Sequence, residues 1–140
     1  MSGITALRPY FRTQLNALGY KEWPGGFSFD NIPSTLLDGA YHIETIDSAR
    51  RGPWSQQTQD IEFPVTIRVF LKGYRDVSQM MDDALSEYDS ILTRVLDPTR
   101  RLTSSIKNIF PERMKLEAVA ATNDNDAILE ITFNCLIIFA

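Results

Sequence analysis

The sequence predicts an α+β fold, an antiparallel or mixed four-stranded sheet packed against two helices, with a long inter-strand loop. Three observations predict it. Residues 4–18 and 77–96 repeat apolar side chains at helical spacing. Residues 60–73 and 127–139 alternate apolar and polar side chains, as half-buried strands do. The elements fall in the order α-β-β-α-β-β, and two hairpins in that order join into one sheet. The chain has 140 residues, 44% of them apolar, enough for one core and one domain spanning 1–140.

The first helix is read from Ile4, Leu7, Phe11, Leu15 and Leu18, which line one face, with Gly19 standing where a C-cap falls. Pro9 costs a helical hydrogen bond, so the expectation puts it in the first turn, with Thr5 near the N-cap. Residues 20–39 read as an aromatic-rich connector that packs down, broken by Trp23-Pro24-Gly25-Gly26 and Asn31-Ile32-Pro33-Ser34.

A first strand is predicted from Ala40 to Asp47, then a polar, turn-rich loop from Ser48 to Gln59. The next strand, Asp60 to Gly73, puts Ile61, Phe63, Val65, Ile67, Val69 and Leu71 on one face. Pro64, on the other face, calls for an edge position or a bulge. Asp76 is read as the N-cap of a long second helix whose stripe holds Val77, Met80, Met81, Ala84, Leu85, Tyr88, Ile91, Leu92, Val95 and Leu96. Asp97-Pro98 ends it. A connector covers Thr99 to Pro111, and a third strand is expected around Met114 to Ala121. Asn123 to Asp126 makes a turn into the last strand, Ala127 to Phe139. The C-terminal half of that strand is apolar on both faces and calls for cover on both sides.

The chemistry inventory is small. One cysteine, Cys135, excludes an internal disulfide and a Cys-cluster zinc site. One histidine, His42, excludes the two-His metal motifs. Cys135 reads as a core residue and His42 as structural or exposed. Asn123 to Asp126 lacks the glycine and closing glutamate of a calcium loop. Neither Ser34 nor Ser55 has a nucleophile-elbow context, and no phosphate-binding glycine loop is present. The reading is of a chain that builds something: not an enzyme, with no catalytic or metal residues and no cofactor. No signal peptide or membrane span is predicted, so the chain is expected to be soluble and made in a reducing cytoplasm.

The net charge of −4 argues against a broad phosphate-binding face. The basic doublets Arg50-Arg51 and Arg100-Arg101 are read first as salt-bridge partners for a neighbouring acidic subunit, and second as small phosphate patches. Trp54 lies in a polar loop beside Arg50 and Arg51, a combination common at interfaces. It packs either on its own domain or on another subunit. Asp82 and Asp83 point about 100° apart on a helix and do not share a site.

Several segments resemble the tail terminator, or tail-completion, proteins of long-tailed bacteriophages. They are the helix around Leu7-Arg8-Pro9-Tyr10-Phe11, then Phe29-Asp30-Asn31-Ile32-Pro33-Ser34 with Tyr41-His42-Ile43-Glu44, and Phe63 to Phe70 with Lys72-Gly73-Tyr74-Arg75 leading into the long helix. The resemblance covers nearly the whole chain. It implies a homo-oligomer, a hexameric ring at the head-proximal end of the tail tube. Such a ring stops tube growth, meets the tail tube protein on one face and the head-closure or connector protein on the other, and sits in the virion at the head–tail junction after synthesis in the host bacterial cytoplasm. DNA passes through its lumen without specific binding. On this reading Arg50, Arg51 and Trp54 lie at the subunit interface, and some of Asp82, Asp83, Glu87 and Asp89 face the lumen, where like charge repels phosphate. Alternatives are another neck component (head closure or tail tube subunit), a small ligand-binding or enzymatic α+β domain, and a nucleic-acid module using the arginine doublets.

Overall fold

The computed structural model describes residues 3–23, 39–44, 50–51, 60–71, 77–100, 105–118 and 127–138. The N-terminal helix α1 runs Gly3–Ala17, and the long helix α2 runs Val77–Val95. The strands are β1 (Lys21–Glu22), β2 (Ala40–Glu44), β3 (Arg50–Arg51), β4 (Asp60–Leu71), β5 (Ile106–Ala118) and β6 (Ala127–Ile138). They form one mixed sheet in the order β1-β2-β4-β6-β5, with β3 also on β4. The predicted α+β class holds, with two short extra strands.

Helix α1 ends as its glycine requires. Gly19 takes φ +94°, which costs glycine little. Its N–H donates to Asn16 O at 3.1 Å, and that of Tyr20 donates to Leu15 O at 3.2 Å. This pair of bonds is a Schellman cap. Pro9, however, sits in the interior of α1 and not in its first turn. It donates no backbone bond there. The helix persists because Leu7, Tyr10, Phe11 and Leu15 are buried against the sheet.

The two predicted hairpin pairings are present. β2 pairs antiparallel with β4, and β5 with β6. The sheet closes through β4 and β6, registered without a break from Asp60↔Ile138 to Leu71↔Ala127. Alternation then sorts the side chains. Val65, Ile67, Val69 and Leu71 of β4 join Leu129, Ile131, Phe133, Cys135 and Ile137 of β6 in the core under the helices. Phe11 and Phe133 meet there with ring centroids 5.4 Å apart.

Pro64 is not on an edge strand, since β4 is flanked on both sides. It lies between two differently registered stretches: β2 pairs up to Glu44↔Thr66, and β3 pairs from Arg50↔Glu62. Six residue steps on one side answer four on the other, an irregularity of the kind a strand proline demands.

Other boundaries also differ from expectation. β5 begins at Ile106, inside the predicted connector, with register shifts at Ile106/Asn108 and Pro111/Arg113. β1 lies in the predicted aromatic connector, and β3 in the predicted polar loop. The expected Asp76 cap and the Asn123–Asp126 turn lie outside the described residues.

Candidate functional site

The sheet has two unlike faces. The face away from the helices carries Glu44, Thr66, Arg68, Thr132, Glu130, Arg113, Lys115 and Glu117, which follow from the register. Arg68 is its centre. Its guanidinium lies 3.9 Å from Glu44, 3.9 Å from Glu117 and 3.7 Å from Glu130. Glu130 also faces Arg113 at 3.7 Å, and Glu117 meets Lys115 at 2.5 Å. The Lys115 contact holds the Glu117 carboxyl below its ordinary range. His42 pairs in register with Arg68 and is buried. Burial first, and the Arg68 charge second, pull its pKa down. His42 is therefore a neutral structural histidine near neutral pH.

At one end of this face, Trp23 packs over Ala40, Phe70 and Ile128. The connector aromatic nearest the sheet thus packs down as expected. At the other end Leu136 is half-buried and Phe110 is 49% exposed.

The helix layer is held by polar contacts between α1 and α2. Tyr10 Oη donates to Val95 O at 2.6 Å, satisfying a carbonyl in the last turn of α2. Arg94 Nε donates to Gln14 Oε1 at 3.0 Å. Tyr20 donates to the Glu87 carboxylate. On the far side of α1, Arg12 binds Glu22 at 2.5 Å, and Arg8 donates to Ile43 O at 3.0 Å. Beside them Tyr41 is buried, which, with the Glu22 charge, pushes its phenol up to about 12.

The four acidic residues, some of which are expected to face the lumen, lie on two sides of α2. With residues about 100° apart, Asp83 and Glu87 share the margin of α2 that faces α1, and Glu87 is engaged by Tyr20. Asp82 and Asp89 are exposed on the outer side. Arg50 and Arg51 lie in β3 opposite Glu62 and Ile61, while Trp54 lies outside the described residues.

Three surface side chains escaped the sequence reading. The apolar spacing assigns Met81 and Leu85 to the core stripe of α2, yet they are 47% and 51% exposed. Their angular position held the signal. Leu85 lies about 100° from Ala84, at the margin of the stripe centred on Met80, Ala84, Ile91 and Val95. The sequence pattern places Phe110 in a connector, and only the register of β5 puts it on the open face.

Among the described residues, no group of three or more His, Cys, Asp or Glu is placed to hold a metal ion. No described helix is long and apolar enough to cross a membrane. No protein-family model matches the chain, and no curated protein matches it significantly.

Proposed function

We propose that this chain is a structural subunit of a phage virion, forming a ring at the head-proximal end of the tail tube. The ring stops tube polymerisation and offers its other face to the head–tail connector. The segments that resemble tail terminators support this reading. The observation that carries it further is the surface: large apolar side chains are exposed both on the helix layer, at Met81 and Leu85, and on the far sheet face, at Phe110. Apolar side chains exposed on two different sides of the subunit are compatible with contacts to more than one neighbour. The net charge of −4 suits a channel that lets DNA pass without gripping it.

The test is native mass across a concentration series, followed by electron microscopy of tail tubes grown with and without the protein. The expected result is a closed oligomer, a hexamer, that caps tube ends and halts their growth. A protein that leaves tube length unchanged and binds no tube end defeats the proposal.

A further inference from the structure

We infer that the two outer flanks of the helix layer pair head to tail between copies of this chain. The α2 flank of one copy docks on the α1–β1 flank of the next. The inference deepens the ring reading and rests on it.

The layout follows from the contacts. Gln14 and Tyr10 of α1 face Arg94 and Val95 of α2, so these sides of the helices are turned toward each other. The opposite side of α1 carries Arg8 and Arg12, directed to Ile43 and Glu22 at the β1–β2 edge. The opposite side of α2 carries Met81 and Leu85. The two flanks therefore lie at opposite ends of the helix layer, as a contact that joins unlike surfaces requires.

Their charges are complementary. On α2, Asp82 and Asp89 stand three residues before and four after Leu85, within about 60° of it around the helix. Neither has a cationic partner among the described residues. On the other flank, Arg8 and Arg12 share the carboxylate of Glu22, at 3.8 Å and 2.5 Å, with no second acidic partner among the described residues. That flank keeps surplus positive charge. Both arginine side chains also remain open, at 42% and 39% exposure.

These charges select the occupant. Pairing α2 flank with α2 flank sets aspartates against aspartates. Pairing α1 flank with α1 flank sets arginines against arginines. Only the unlike pairing places acid on base, with Met81 and Leu85 covered between them. The pairing directs Asp82 and Asp89 to a neighbouring copy and not to a central channel.

The test uses two charge-reversed proteins, Asp82→Lys/Asp89→Lys and Arg8→Glu/Arg12→Glu, with sedimentation as the readout. Each alone presents like charges on both flanks, and its association should weaken roughly a hundredfold. Mixed in equal amounts, the two should co-assemble in alternation, with affinity regained to within about tenfold of the original. Full association of either variant alone overturns the pairing, as does failure of two folded variants to co-assemble. If a variant does not fold, zero-length coupling of carboxylates to an amine placed on the α1 flank replaces it. Mixed isotope-labelled and unlabelled copies of an Arg8→Lys protein should give links from position 8 to Asp82 or Asp89 between copies, and the absence of such links overturns the pairing. A monomer at all concentrations overturns it too. Capped tube ends with indifferent flank reversals defeat this pairing alone. Flank pairing without tube binding defeats only the ring's proposed role.

Discussion

Toward the helices, β4 and β6 present Val65, Ile67, Val69, Leu129, Ile131 and Phe133, none of them accessible to solvent. On the other side the same two strands present Glu62, Thr66, Arg68, Glu130, Thr132 and Asn134, all partly accessible. One face gains stability by volume and exclusion of water. The other places charges at chosen distances. Both depend on the same pairing, because a slip of one residue turns every side chain over. A slip would bury Arg68 and separate it from Glu44, Glu117 and Glu130. The open face therefore reports on register even where it adds little to stability.

The largest effect should come from the covered face. Phe133→Ala removes the ring that meets Phe11 and leaves a cavity in a close-packed layer. The expected loss is about 3–5 kcal/mol in urea unfolding. Less than about 1 kcal/mol would mean the two faces contribute alike. Next is Arg68→Ala, which leaves three glutamates near one another. We expect a loss of about 1–2 kcal/mol at low salt that shrinks in high salt, because part of it is repulsion between carboxylates.

A third effect is a slope and not a step. The folded pKa of His42 is depressed, so below about 6.5 the unfolded chain takes up a proton that the folded chain refuses. Stability from this group is present above that pH and is lost as pH falls toward the folded value. The urea midpoint of His42→Asn should show a flatter decline across this window than that of the original protein. Equal slopes would remove His42 as the cause. The smallest effect should be that of Lys115→Ala, an exposed ion pair, at about 0.5 kcal/mol or less.

The elements legible in the sequence are those whose pattern is local and long. The alternation of β4 and β6 predicts the face of every residue from Val65 to Leu71 and from Leu129 to Ile137. Gly19 marks the end of α1 because a left-handed residue is needed there. The start of β5 was hidden because register shifts on either side of Ile109–Phe110 break the phase of the alternation, and Pro111 reads as a breaker. β1 has two residues and exists only through its parallel pairing with β2, which nothing in its own sequence announces. Local cost draws Pro9 to a helix start, and tertiary burial of its neighbours prevails over it. The acidic residues of α2 were legible as charges. Their division into an inner pair and an outer pair depends on where α1 lies, which sequence spacing alone does not give.

The β4–β6 ladder has a further consequence in time. It is the seam of the sheet, yet even its nearest partners, Leu71 and Ala127, are separated by all of α2 and β5. The chain must close that long loop before any bond in the seam repays the lost entropy. The β5–β6 hairpin and α2 are local and free to form first. Until the seam closes, one long edge of β4 and one of β6 stand open to strands of other chains. Refolding should accordingly be slow for a domain of this size, and its yield should fall as protein concentration rises.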